Sequence, residues 1–231
     1  MEKHTVSASL TDNTKYMNRA LPVKKSFDII ERNLIIGGQN SAFYFIDGFT
    51  KDETMLKLMD SFLNISADDM PEDATSFSTS CIPYVEVDIL GDFDSIFKNL
   101  LSGVTCLFID GYEAAIAIDC RTYPSRSIEE PDKDKSLRGS RDGFVETIVF
   151  NTALMRRRIR DPHLIMEMYE AGTSTRTDVA LCYMSDRVDR ELLTTIQNKL
   201  EESKSQDLKM SQQSLARSEE RRVGKECRSR W

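Results

Sequence analysis

The chain has 231 residues, of which 40% are hydrophobic and 30% charged, a balance that excludes a polytopic membrane protein or a disordered chain over this stretch. Its 31 basic and 38 acidic groups leave a net charge of −7, so no global field draws it to nucleic acid or to an anionic membrane surface. The length suits one medium domain or two small ones, either able to bury a core.

Met1 to Arg19 is polar and lacks the apolar centre of a signal peptide. Ser41-Ala42-Phe43-Tyr44-Phe45-Ile46, ending at Asp47-Gly48, predicts a buried strand running into a turn. Thr50-Lys51-Asp52-Glu53 has capping-box spacing. Behind it, Met55, Leu56, Met59, Phe62 and Leu63 recur at helical spacing and predict one apolar face. Asp68 to Ser80 is polar and reads as a loop, Tyr84 to Ile89 alternates as a half-buried strand, and Phe93 to Leu101 suits a short helix. Two apolar runs, Cys106 to Ile109 and Ala114 to Cys120, flank Asp110-Gly111 and predict a hairpin. A polar connection from Arg121 to Gly143 leads to a helix from about Phe144 to Arg160, stopped by Asp161-Pro162. Leu164 to Glu170 and Asp178 to Met184 read as strands, and Glu191 to Leu200 as a final helix. The similar pentapeptides Phe45-Ile46-Asp47-Gly48-Phe49 and Phe108-Ile109-Asp110-Gly111-Tyr112 mark either two related units or repeated strand-to-turn chemistry.

No segment supplies the roughly 18 consecutive apolar residues of a membrane-spanning helix; the best stretch, Val104 to Ile118, is broken by Asp110, Gly111 and Glu113. Cys81, Cys106, Cys120 and Cys182 are widely spaced and read as small buried hydrophobes of a reducing compartment, with neither a disulfide frame nor a metal site expected. The last fifteen residues, Arg217 to Trp231, carry a net +3 and almost no apolar periodicity. They resemble a translated adapter scar and are expected to be non-native, which leaves −10 for residues 1–216.

The densest polar constellation is Glu129-Glu130-Pro131-Asp132 followed by Arg138-Gly139-Ser140-Arg141-Asp142-Gly143. Free N–H groups at a helix start could cradle an anion there. The plainer reading, in which Ser140 or Asp142 caps the helix and the arginines pair with carboxylates, is preferred because no Walker-type lysine follows. In Arg156-Arg157-Arg158, successive side chains point about 100° apart, so they fan around the axis and form no basic face for nucleic acid. Phe144, Ile148, Thr152, Met155 and Ile159 make one stripe of this helix, while Phe150 and Leu154 lie elsewhere on it. The stripe is expected to cover the sheet, and Phe150 and Leu154 to belong to an inter-domain or inter-subunit contact. Of the two histidines, His163 follows a helix stop and reads as a surface or cap residue. No catalytic motif or metal-ligand spacing is present in the sequence.

Arg121-Thr122-Tyr123-Pro124, Glu129-Glu130-Pro131-Asp132, the run Leu137 to Glu146 and the run Asn151 to Asp161 together resemble the hallmark of the spore germination GerA family, within it the branch of stage V sporulation protein AF. Lys25-Ser26-Phe27-Asp28, Tyr44 to Phe49, Ile82 to Val87, Thr177-Asp178 and Cys182-Tyr183 extend the resemblance over about residues 20–216. It implies a region on the cytoplasmic side, α/β (α+β) in class: two small mixed α/β subdomains with helices packed on short sheets. Transmembrane helices of the spore inner membrane are expected to follow, in a receptor or ion-channel subunit that is not an enzyme. No cofactor is implied. The partners implied are further copies of the chain and other germination membrane proteins, with no nucleic acid.

On this reading residues 1–26 are a polar leader, 27–101 and 102–203 the two subdomains, 204–216 the start of a linker, and 217–231 the tail. The motif residues are Glu130, Pro131, Asp132, Arg138, Gly139, Arg141, Asp142, Gly143, Asn151, Arg156, Arg157 and Arg158, structural or interacting in role. The alternative is a freestanding α/β protein that binds a nucleotide or phosphate at the Arg138–Gly143 turn.

Overall fold

The structure, a computed structural model, describes residues 4–50, 52–82, 86–121, 144–173 and 176–204. Among them the chain is mixed α/β and divides into two compact units, one up to Met166 and the other from Glu167.

The first unit is built on α1 (Leu10–Ala20), β1 (Ile29–Ile36), β2 (Gln39–Ile46), α2 (Asp52–Leu63), α3 (Ala74–Ser80), β3 (Val87–Leu90), α4 (Phe93–Leu101), β4 (Thr105–Ile109), β5 (Ala115–Ile118) and α5 (Ile148–Arg158). Its five strands form one antiparallel sheet in the order β1-β2-β4-β5-β3. The sheet is covered on both faces, so its central strands are apolar on both: every residue of β4 and β5 is buried. Cys106, Phe108, Ala115 and Ala117 face α1 and α4, whereas Leu107, Ile109, Ile116 and Ile118 face α2 and α3. Burial pushes the Cys106 thiol up to about 12 and that of Cys120 to about 11.

β4 pairs with β2 from Ser41↔Ile109 to Tyr44↔Cys106, so strands on both sides of residue 101 share one sheet, and the first compact unit runs to Met166. The polar segment 1–26 is also part of this unit. Ser9 caps α1, and Val6, Met17 and Leu21 are buried in the core.

Three further local expectations give way to packing. Asp68 to Ser80 contains a helix, α3, because Asp73 accepts from the Ser76 N–H at its start and Ala74 and Phe77 are buried. Its Ser and Thr hydroxyls bond carbonyls one turn back, as from Ser78 to Thr75 and from Ser80 to Ser76, so they are satisfied within the helix while the cap and the burial of Ala74 and Phe77 hold it. The Thr50 capping box does not form: the Thr50 hydroxyl is buried without a partner, and its backbone bridges to Arg121. The expected apolar face of α2 is divided, with Leu58, Met59 and Phe62 buried but Leu56 and Leu63 left 71% and 61% exposed.

The second unit contains β6 (Leu164–Ala171), whose first residues belong to the first unit, β7 (Thr177–Met184) and α6 (Arg190–Ser203). β6 and β7 form a two-stranded sheet. Asp189 caps α6 by accepting from the N–H groups of Glu191 and Leu192.

Candidate functional site

The three arginines at the end of α5 do fan apart. Arg157 and Arg158 are exposed, whereas Arg156 is fully buried and is the largest buried side chain among the described residues. It meets Asp28, 1% exposed, through a two-pronged contact: Nε donates to Oδ2 at 2.7 Å and Nη2 to Oδ1 at 3.1 Å. Nη2 also donates to the Leu164 carbonyl at 2.9 Å and to Ser26 Oγ at 3.3 Å, and Nη1 to the Asp161 carbonyl at 3.1 Å. Ser26 Oγ in turn donates to Asp28 and accepts from the Met166 N–H at 3.0 Å, while the Phe27 N–H donates to the Met166 carbonyl at 2.9 Å. One cation thereby holds the approach to β1, the end of α5 and the first residues of β6. Such a buried pair contributes little net stability against an apolar substitute, but it strongly penalises any arrangement that leaves one charge unmatched.

The start of α5 is fixed as tightly. The Asn151 side chain accepts from the Val145 N–H and donates to the Val145 carbonyl, both at 2.7 Å, clamping the chain ahead of the helix. The helix rests on the turn after β2. Gly48 has φ +79, and a Cβ there would lie 3.1 Å from Val149 Cγ1 and from Ala153 Cβ. Gly48 is thus required both by its backbone conformation and by the closeness of α5.

The helix packs differently from its expected stripe. Thr152, Ala153 and Arg156 are buried. Phe144 is 72% and Ile159 38% exposed, since α5 runs only from Ile148 to Arg158 and both flank it. Phe150 is 41% exposed and Leu154 half-buried. Glu130, Pro131, Asp132, Arg138, Gly139, Arg141, Asp142 and Gly143 lie outside the described residues. Of the other sequence-predicted residues, Asn151 and Arg156 belong to this anchor and Arg157 and Arg158 do not. Ser26 and Asp28 complete it. Both stand in the Lys25-Ser26-Phe27-Asp28 stretch, but 128 residues separate Asp28 from Arg156, and no local pattern joins them.

A second polar cluster lies within the second unit. The Glu167 carboxylate accepts from Tyr169 Oη at 2.6 Å, from Tyr183 Oη at 2.7 Å and from Gln197 Nε2 at 2.8 Å, tying β6, β7 and α6 together. Burial and the adjoining Glu167 carboxylate push the Tyr169 phenol up to about 12 and raise that of Tyr183 likewise. His163 is exposed, with Nδ1 2.9 Å from Asp161 Oδ1 in the turn before β6.

Neither cluster presents a reactive group. The anchor is sealed from water with its charges matched, and the phenols of the second unit are held protonated. Among the described residues no group of His, Cys, Asp or Glu is arranged to hold a metal ion, and no helix is long and apolar enough to cross a membrane. The capacity of these sites is positional: they fix where a helix and a strand begin and end.

Residues 15–221 match the family described as Bacillus/Clostridium GerA spore germination protein. Stage V sporulation protein AF of Bacillus subtilis is 32% identical over 200 residues, covering 86% of this chain and 41% of that protein. Spore germination protein KA of Bacillus subtilis is 29% identical over 200 residues, covering 85% of this chain and 36% of that protein. The chain therefore spans about two fifths of the length of these relatives. The crystal structure of the N-terminal domain of the A subunit of the Bacillus megaterium spore germinant receptor GerK3 has the same fold, with a TM-score of 0.66 over 90% of this chain and 75% of that one, at 20% identity.

Proposed function

The chain belongs to the GerA family of spore germination proteins, and from that premise we propose that it is the cytosolic N-terminal region of a germination membrane protein, contributing to assembly and signalling of a receptor or ion channel. The observation that carries this reading is the match along residues 15–221 together with a fold shared with the N-terminal domain of a germinant receptor A subunit. A domain of this kind works by holding its partners and passing a displacement, and the two polar clusters suit that work. The parent protein is a membrane protein, this region lies on the cytoplasmic side, and no catalysis is involved.

The test is to recover the parent gene and express it in a sporulating Bacillus subtilis strain that lacks stage V sporulation protein AF. The reading requires apolar segments of about 20 residues beyond residue 216 and faster ion release during germination than in the unsupplemented strain. A native stop codon within a few residues of position 216, or saturable phosphate binding that is lost on Arg141→Ala, would overturn it in favour of a freestanding anion-binding protein.

A further inference from the structure

The division of the α2 apolar face leaves a cleft of about 360 Å³ between that helix and β1, lined by Arg32, Asp52, Met55, Leu56, Met59, Asp60 and Leu63. Met59 is buried in its floor, while Leu56 and Leu63 stand on its outer side. At 100° per residue, positions 52, 55, 56, 59, 60 and 63 fall within one sector of about 140°. The cleft thus continues the inward face of the helix around its side. Solvent-exposed leucines adjoining methionines inside a charged margin have the composition of an interface, with an apolar centre and a polar rim. The charges of that rim are unspent: among the described residues Arg32, Asp52 and Asp60 have no hydrogen-bonding or ion-pairing side-chain partner.

We infer that this cleft docks an amphipathic helix of another polypeptide, one that lays leucine-like side chains over Leu56, Met59 and Leu63 and brings basic residues to Asp52 and Asp60. Those two carboxylates are eight residues apart, about 12 Å along the axis, so the cations that meet them lie about two turns apart on the incoming helix. The same charges disfavour a second copy of this chain. A two-fold axis that places Leu56 of one copy on Leu63 of the other passes between residues 59 and 60, and so sets Asp60 against Asp60, with Arg32 as the one cation that each copy's cleft supplies against two carboxylates.

The full chain is titrated at low ionic strength with a synthetic helical peptide of about five turns, carrying leucines on one face and lysines two turns apart at the margin. A glutamate version and a lysine version with its leucines scrambled serve as comparisons. The lysine peptide is expected to bind best and to shift the Met55 and Met59 methyl resonances. Leu56→Ser with Leu63→Ser, both at exposed positions that leave the fold unchanged, is expected to weaken it about tenfold or more. Asp52→Lys with Asp60→Lys is expected to reverse the preference toward the glutamate peptide. Equal binding of the scrambled peptide, no binding, shifts confined to other residues, or a preference that survives the charge reversal would overturn the assignment. So would self-association abolished by Leu56→Ser, which would assign the cleft to a second copy.

Discussion

Replacing Arg156 with methionine tests whether the first unit is organised around a buried cation. Methionine fills much of the same length but leaves Asp28 as an unmatched carboxylate at 1% exposure, and leaves the Asp161 and Leu164 carbonyls without their donors. Breaking a buried pair from one side costs about 3–5 kcal/mol, a large part of the roughly 5–15 kcal/mol that holds a domain folded. At about 2–4 °C per kcal/mol for a chain of this size, the melting temperature should fall by about 6–20 °C. Arg156→Lys keeps the charge but loses the two-pronged geometry and should cost less, about 1–3 kcal/mol. Arg157→Met and Arg158→Met, at exposed positions, should stay within about 1 kcal/mol of the parent. Urea unfolding followed by far-ultraviolet circular dichroism measures all four. A loss below about 1 kcal/mol for Arg156→Met, or equal losses at the three arginines, would refute the reasoning, since it would mean that water reaches the guanidinium.

Gly48→Ala should cost more than Gly111→Ala in the same unfolding measurement. Both glycines have positive φ, but a Cβ at Gly48 meets Val149 and Ala153 whereas one at Gly111 meets nothing within 4 Å; equal losses would remove the argument that α5 rests on the turn. Asn151→Ala deletes two 2.7 Å bonds and should cost about 1–3 kcal/mol, with faster amide exchange in the first turn of α5 as its local sign. Tyr169 is neutral up to about pH 12 in the folded unit against 10.0 ordinarily. The native state therefore holds the extra proton in that window, and the stability this contributes, complete below pH 10, is lost as pH rises toward 12. Glu167→Gln should bring the phenolate absorption of Tyr169 to lower pH, and an unmoved titration would show that the carboxylate is not a cause. Phe150→Ser with Leu154→Ser should weaken oligomerisation or domain docking in the intact parent while leaving the fold of this region unchanged, and an unaltered oligomer in light scattering would dismiss the proposed contact.

Much of the fold was legible because it rests on local rules. The helix at Phe93–Leu101 has the boundaries its periodicity implies, with Asp92 as cap, and the hairpin expected around Asp110-Gly111 forms, with β4 and β5 paired antiparallel. β6, β7 and α6 begin and end within a few residues of expectation. What escaped depends on distant partners or on polar residues doing structural work. β1 is signalled by Gly37-Gly38, at φ 53 and 78, which joins Ile36 to Gln39 in a two-residue hairpin, yet a reading that starts its strands at Ser41 passes over it. α1 and α3 are too polar to announce an apolar stripe, and only the sheet gives Met17 and Phe77 something to bury against. The anchor was half visible. Helical geometry requires adjacent arginines to diverge, but which of them turns inward is decided by Asp28, 128 residues away.

The paired pentapeptides illustrate how repeated sequence arises without a repeated unit. Each ends a strand, β2 or β4, and turns on a glycine with positive φ, 79 at Gly48 and 91 at Gly111. Each turn supports the start of a helix. Gly48 lies under α5, while the Gly111 N–H donates to the Ala8 carbonyl and Asp110 Oδ1 accepts from the Leu10 N–H at the start of α1. Both helices carry an asparagine at their fourth position that clamps the backbone six residues earlier, Asn13 on Ser7 and Asn151 on Val145. Beyond the turns the likeness ends: Gly48 is followed by α2, and Gly111 by β5 of the same hairpin. β2 and β4 are neighbouring antiparallel strands, so their turns project from opposite ends of the sheet, where an incoming helix start meets the same requirements. Each turn needs a glycine for its positive φ and each helix start needs acceptors or donors for its unpaired N–H and carbonyl groups, while only at Gly48 does the helix also close on the missing side chain. Glycine and asparagine recur at both ends, whereas the aspartate carboxylate meets a helix N–H only at Asp110. These needs also explain why Asn151 and Gly48 stand within the stretches that resemble the family, although neither has a reacting partner: together they set where α5 starts, and the start of α5 sets where Arg156 reaches Asp28.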